Sequence, residues 1–143
     1  LCRPAGVEVE TPENMEHWYW GHFASTAMYT GAIAQAGGYD AFANDKKAIH
    51  EAVLAGREAM DICAARGVDV KKIPDARVFV SAPLVAAPLL RRALVQPIAR
   101  RMYQTHPLYA SEFRQIFDEV LETGRQLNVP TSHLEAYRPF VDA

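Results

Sequence analysis

The sequence predicts an all-α fold, organised as one domain of five or six helices. Apolar residues recur at helical spacing over three long stretches, at about 11–36, 45–66 and 109–127. Residues that favour helix starts and helix ends bound these stretches. The chain contains no internal repeat and no low-complexity segment. A single bundle of helices around one core is therefore expected.

Length and composition agree with this prediction. The 143-residue chain is long enough to bury a core as one domain, and half of its residues are hydrophobic. A formal net charge of −2 does not suggest a nucleic-acid-binding surface, and no apolar run is long enough to cross a bilayer. Neither nucleic-acid nor membrane partners are therefore expected. Cys2 and Cys63 lie in no metal-binding or redox spacing, so a reduced, cytoplasmic protein is expected.

The first helix is predicted to be the central, buried helix of the domain. Thr11 is the expected N-cap and Pro12 the first helical residue, while Gly37-Gly38 ends the helix after Ala36. Neighbouring helices can approach closely wherever a helix carries small side chains. Such side chains crowd the second half of this helix, at Ala24, Ser25, Thr26, Ala27, Gly31, Ala32, Ala34 and Ala36.

A second long helix is predicted from Asn44 or Asp45 to Arg66, where Gly67 follows. Residues 39–44, between the first two helices, are predicted as a connector. The apolar stripe of the second helix has helical periodicity and consists mainly of Ile49, Val53, Met60 and Cys63.

Prolines shape the following part of the chain. Three of them, at positions 83, 88 and 97, forbid one uninterrupted helix over residues 75–105. Two short helices with a bend are predicted there instead, at about 76–81 and 84–103.

The last long helix is predicted from about 109 to 127, with an apolar face that includes Phe113, Phe117 and Leu121. Ser132 and Glu135 then have the spacing of a capping box, which predicts a short terminal helix.

The most distinctive stretch is His17-Trp18-Tyr19-Trp20-Gly21-His22-Phe23. Helical spacing places Trp18 and His22 on one face with Ser25 and Tyr29, while Tyr19 follows the neighbouring stripe. A face with both apolar bulk and polar groups is what a small-molecule pocket requires. The alternative is a core helix whose Trp and His side chains make ordinary hydrogen bonds.

Other site motifs are absent or ambiguous. Gly37-Gly38 follows a helix rather than a strand, so the chain has no dinucleotide-binding fingerprint of its own. No metal site is predicted, because His17 and His22 are five residues apart without further ligands in a suitable pattern. The sequence also contains a basic patch, which consists of Arg91-Arg92, Arg100-Arg101 and His106. This patch is either a solvated helix face or a site for a carboxylate or phosphate.

Short motifs spread along the chain have a familiar order. Ala5-Gly6-Val7-Glu8-Val9 precedes Met15-Glu16-His17-Trp18, and Ser111-Glu112-Phe113 precedes Leu127-Asn128-Val129-Pro130-Thr131. Together they resemble the C-terminal domain of the ketopantoate reductase (2-dehydropantoate 2-reductase) family. The first pair is similar to the family's entry into its first long helix, and the second pair is similar to its late signature.

The resemblance implies a fold of the 6-phosphogluconate-dehydrogenase C-terminal-like type. Residues 11–143 would form the substrate domain, and residues 1–10 would link it to an N-terminal Rossmann domain that binds NADP(H). The expected partners are this Rossmann domain and a small-molecule substrate, a 2-keto acid or related carbonyl, and a homodimer stays open. The alternative is a non-catalytic helical ligand-binding or dimerisation module derived from the same family.

The resemblance also implies site residues, with one clear departure. The family's general acid is a Lys early in the first long helix, followed by substrate-binding Asn residues, but Trp20, Ala24 and Met28 stand at or near these positions. His22 is predicted to replace the Lys, because imidazole titrates near neutrality. The predicted substrate-binding residues are Tyr19, Ser25, Tyr29, Ser111 and Glu112. The alternative for Glu112 is a structural role, in which its carboxylate only stabilises the N-terminus of a helix.

Overall fold

The computed structural model describes residues 12–74, 76–104 and 110–143. All regular secondary structure in these ranges is helical, which confirms the predicted fold class. The predicted linker, residues 1–10, lies outside them. Among the described helices, none is both long and apolar enough to span a membrane. In chain order, the helices are α1 (Met15–Ala36), α2 (Tyr39–Asn44), α3 (Lys46–Ala65), α4 (Arg77–Val80), α5 (Pro83–Leu94), α6 (Pro97–Gln104), α7 (Ala110–Gln126), α8 (Ser132–Glu135) and α9 (Arg138–Val141). A 3-10 turn at Val70–Lys72 follows α3.

The predicted start of α1 is wrong, because Asn14 is the N-cap. Its backbone is extended, and its side-chain oxygen accepts a hydrogen bond from the His17 backbone N–H at 3.1 Å. This bond satisfies one of the donors that the first turn of a helix leaves unpaired. Pro12 therefore precedes the helix. The predicted end is confirmed, since Gly37 follows Ala36 in the left-handed region with a φ of 76°.

Helix α1 lies at the centre of the domain, with α3, α7, α9 and α2 packed around it. Small side chains make this arrangement possible. The Tyr137 ring lies so close to Gly31 that a Cβ at this glycine would overlap it, and the Ile73 side chain approaches Gly21 in the same way. The second half of α1 is therefore buried, as predicted from its composition.

Two expectations between the long helices are wrong. The connector at residues 39–44 is a short helix, α2, which buries Tyr39 and Phe42 and is tied to α5 because the Tyr39 hydroxyl donates to the Leu94 carbonyl. The helix predicted over 84–103 is divided into α5 and α6. The break falls where Pro97, which lacks an N–H, opens α6 as its first residue.

The capping box predicted for α8 is also wrong, because the cap comes from another helix. The carboxylate of Glu58, on α3, accepts hydrogen bonds from the Ser132 hydroxyl at 3.0 Å and from the backbone N–H groups of His133 and Leu134 at 2.9 Å. Glu135, by contrast, receives hydrogen bonds from the Arg125 guanidinium. The end of the chain is thus fixed by a contact between α3 and α8.

We expect Glu58→Gln to lower the free energy of unfolding by about 1–3 kcal/mol, because the amide loses the charge and one of the two acceptor oxygens. Urea denaturation of the 143-residue chain measures this loss. Asp61→Asn, at an exposed position on the same helix, is the matched control and should change stability by less than about 0.5 kcal/mol. Equal effects of the two substitutions would contradict the cap.

A methyl group at Gly31 should also destabilise the domain. Gly31→Ala forces the Tyr137 ring to move, which we expect to cost about 1–3 kcal/mol despite the better helix propensity of alanine. Gln35→Ala, at an exposed position of α1, is the control. A Gly31→Ala chain that is as stable as the unsubstituted one in thermal denaturation would refute the close approach.

Candidate functional site

The first half of α1 carries an exposed aromatic surface, here called the α1 aromatic surface, which comprises Met15, Trp18, Tyr19 and His22. The exposed fractions of Met15, Trp18 and Tyr19 are 48%, 41% and 51%, and His22 is exposed as well. Large apolar side chains at such exposure next to polar groups are typical of binding surfaces. This helix therefore presents its first half to solvent and buries its second half.

Stacking orders the rings on this surface. The Trp18 and His22 rings are parallel within 4°, with centroids 5.3 Å apart, and Tyr19 contacts Trp18 edge to face at 5.5 Å. The described residues make no hydrogen bond to either ring nitrogen of His22. The stack thus orients an imidazole whose nitrogens are available to a ligand.

A groove of about 1060 Å³ lies beside this surface. Met15, Trp18 and Ile73 provide its apolar contacts, and Lys72 and Arg77 provide cationic groups. An open groove with both apolar and cationic walls suits a small organic anion.

Two contacts of the groove bear on its chemistry. The Asp69 backbone N–H donates to Nδ1 of His17 at 3.3 Å, which ties the segment after α3 to α1. The Lys72 ammonium lies 3.7 Å from the Glu13 carboxylate, but both side chains are more than two-thirds exposed. Because exposed ion pairs contribute little free energy, Lys72 remains available to an anionic ligand.

The positions that the resemblance assigns to catalytic Lys and Asn residues are used for packing. The Arg66 guanidinium stacks 3.7 Å above the Trp20 ring, and the Trp20 carbonyl accepts a hydrogen bond from the Cys63 thiol at 3.3 Å. Ala24 and Met28 are fully buried. This face of α1 therefore offers no polar group or space to a substrate within the described domain.

Ser25 and Tyr29 share the helical stripe of His22 but belong to the interior. The Ser25 hydroxyl donates to the Gly21 carbonyl at 2.8 Å within α1. The half-buried Tyr29 ring packs against Phe42 and Tyr103, with centroid separations of 6.5 Å and 5.0 Å. The stripe passes from solvent into the core after His22, so these two side chains do not join the α1 aromatic surface.

Ser111 and Glu112 are exposed in the first turn of α7. The end of α7 packs at Gly124 against Ile62 of α3, close to the Cys63–Trp20 contact with the start of α1. The start of α7 lies at the other end, where Arg114 donates to the Val141 carbonyl. Because the ten residues from Arg114 to Gly124 span about 15 Å, Glu112 lies at the end of α7 away from the contact with Ile62.

The structure therefore brings together two predicted site residues, Tyr19 and His22. Lys72 and Arg77 line the groove beside Trp18, whereas Tyr19 and His22 are not among its lining residues. The two cations were not predicted because nothing in their local sequence shows that the segment after α3 returns to the start of α1. Among the described residues, no group of three or more His, Cys, Asp or Glu side chains is arranged to hold a metal ion.

Comparisons with known proteins give no family for this chain. No protein-family model, no curated protein and no solved structure matches it. The similarity to ketopantoate reductases thus rests on the short motifs quoted above and stays a prediction.

The thiol next to Trp20 should be unreactive in the folded protein. Burial raises the pKa of Cys63 from 9.0 to about 12, with a smaller opposing effect from Arg66, so very little thiolate is present at pH 8. In a Cys2→Ser background, we expect a thiol-specific disulfide reagent to label the folded chain at least about 100-fold more slowly than the urea-unfolded chain. Equal labelling rates would contradict the buried Cys63–Trp20 contact.

Proposed function

We propose that this chain is the substrate-binding domain of a ketopantoate-reductase-like, NADP(H)-dependent oxidoreductase that reduces a 2-keto acid or a related carbonyl. A Rossmann domain would supply the dinucleotide, because this sequence has no dinucleotide fingerprint. The observation that carries the proposal is the exposed Trp18–His22 stack beside a groove that contains Lys72 and Arg77.

The groups of the α1 aromatic surface and of the adjacent groove match the parts of a 2-keto acid. The ammonium of Lys72 or the guanidinium of Arg77 would pair with the substrate carboxylate. Trp18 and Met15 would contact the apolar part of the substrate. The identity of that apolar part stays open, since an open groove sets no tight size limit.

His22 would act as the general acid. A bound NADPH would supply a hydride to the carbonyl carbon of the substrate. The His22 imidazolium would donate its proton to the carbonyl oxygen, where negative charge develops, so that the product is the 2-hydroxy acid. A histidine suits this role because its ordinary pKa lies near physiological pH. After the reaction, the exposed ring takes up a proton from solvent.

The exposure of the surface supports the need for a second domain. Hydride transfer is efficient in a site from which water is excluded. Trp18, Tyr19 and His22 are too exposed in the isolated domain to provide this environment. A domain closing over the first half of α1 would cover these rings and place the dinucleotide beside them.

One observation favours a second candidate, a non-catalytic ligand-binding module. Trp20, Ala24 and Met28 replace the polar residues expected at or near these positions in the family, and they are committed to packing. A module that kept the fold and lost the chemistry would show this pattern. It would bind a small organic anion in the groove without oxidising NADPH.

His22→Ala tests the proposed reaction. In the protein expressed from its complete reading frame, we expect kcat for NADPH oxidation with the most reactive of a panel of 2-keto acids to fall by about 10²–10⁴-fold, with a small change in KM. His50→Ala, an exposed histidine on α3, is the matched control and should retain full activity.

The panel and the variant separate the alternatives. An active protein whose kcat is unchanged by His22→Ala would refute the general-acid role. A protein that oxidises no NADPH with any 2-keto acid, yet binds one of them with an affinity that Lys72→Ala weakens, would support the binding module instead.

A further inference from the structure

A second cleft lies at the opposite end of α1 from the α1 aromatic surface, where the end of α1, the start of α3 and α8 meet. Its volume is about 330 Å³, and its lining residues include Lys47 and Glu51 of α3 and Tyr137, which lies between α8 and α9. Gln35 of α1 also lines it, and about 25 Å of helix separates this residue from Trp18. The cleft is therefore distinct from the groove that carries the proposed reaction.

The Tyr137 hydroxyl is a buried polar group without a partner. Tyr137 is only 2% exposed, and no described residue forms a hydrogen bond with its hydroxyl. Buried hydroxyls are normally hydrogen-bonded, because an unpaired one has lost its bonds to water without replacement. The ring packs closely on Gly31, which holds the hydroxyl in place. A ligand in the adjoining cleft would supply the missing partner.

Carboxylates give the surroundings of this hydroxyl a negative charge. Burial and, after it, the charges of Glu51 and Glu58 raise the pKa of Tyr137 above its ordinary value of 10.0, so the hydroxyl stays protonated at physiological pH. Glu58 is already engaged, since it caps α8. The Glu51 carboxylate lies 3.7 Å from Nδ1 of His133, which is too long for a hydrogen bond. Glu51 is therefore available to a cation.

We propose that this cleft binds the primary ammonium group of a small molecule, which the Glu51 carboxylate and the Tyr137 hydroxyl oxygen hold together. An ammonium is a compact cation with three N–H donors, so it can donate to both acceptors at once. The Glu51 and His133 side chains are half-buried and are not hydrogen-bonded to each other. A small shift of Glu51 would therefore give the ammonium access to the hydroxyl.

Lys47 indicates what else the ligand carries. It lies four residues before Glu51 on α3, and both side chains line the cleft, but the described residues include no ion pair between them. The Lys47 ammonium is thus available to an anionic group of the ligand. An α-amino acid, whose carboxylate would pair with Lys47, fits the cleft better than a polyamine, whose second ammonium Lys47 would repel.

An NMR titration of the 143-residue chain tests the proposal. Ethylammonium, alanine and putrescine each carry a primary ammonium, whereas tetramethylammonium has the charge of ethylammonium without an N–H donor. The backbone amide resonances of Ala48 and Ala136, which line the cleft, should shift with ethylammonium and alanine but not with tetramethylammonium. A lower Kd for alanine than for ethylammonium would assign the site to amino acids, and a lower Kd for putrescine would assign it to polyamines.

Two substitutions relate the binding to the proposed acceptors. Glu51→Gln removes the charge and Tyr137→Phe removes the hydroxyl, and each should raise the Kd by about 10-fold or more. Because the hydroxyl has no partner in the free chain, Tyr137→Phe should leave the thermal unfolding midpoint unchanged or raise it. Glu119→Gln, at an exposed position of α7, is the matched control and should leave the Kd unchanged.

The opposite results would overturn the proposal. Equal shifts with tetramethylammonium, or a Kd that neither substitution changes, would indicate a nonspecific attraction of cations. No shift at Ala48 and Ala136 with any of the three primary ammonium compounds would exclude the site. A lower unfolding midpoint for Tyr137→Phe would mean that the hydroxyl has a partner in the free chain. Binding is measured without NADPH or a 2-keto acid, so its failure is distinct from failure of the proposed reaction.

Discussion

The close packing of neighbours on the small residues of α1 is the constraint on which the rest of the domain depends. Tyr137 lies against Gly31, and six of the nine buried residues of α1 are Gly, Ala or Ser. This allows α3, α7 and α9 to surround one helix and leaves no space for a side chain at Gly31. The bulky residues of α1 are concentrated at its beginning, where the neighbours leave the helix exposed. The change from bulky residues at the beginning of α1 to mostly small residues further along thus produces both the core and the α1 aromatic surface.

The long helices could be predicted from sequence because their signals are local. Periodicity and the residues at their ends located α3, α7 and the end of α1 within one or two residues. The errors arose where a neighbouring residue or a distant helix competes with a local signal. Asn14 rather than Thr11 caps α1, and Glu58 of α3 caps α8 in place of Glu135. A capping pattern identifies residues that are able to cap a helix, but it does not show which of them makes the hydrogen bonds in the folded chain.

Helical periodicity predicted only part of the candidate site. It correctly placed His22 beside Trp18, because residues four apart on one helix are neighbours, and it placed Tyr19 on the adjacent stripe. It did not indicate that the same stripe enters the core at Ser25. The positions of Glu112 and Lys72 depend on the directions of helices separated by many residues, and no pattern within one segment contains that information.

Hydrogen–deuterium exchange tests most directly whether the first half of α1 is a ligand-binding surface. The protein expressed from its complete reading frame would be compared alone, with NADPH, and with NADP⁺ plus a 2-hydroxy acid. Residues 15–23 should exchange several-fold more slowly when the dinucleotide and the acid are both bound, while residues 27–36 are already protected by the core. Unchanged exchange at residues 15–23, with bound ligands confirmed by calorimetry, would contradict a binding role for this surface.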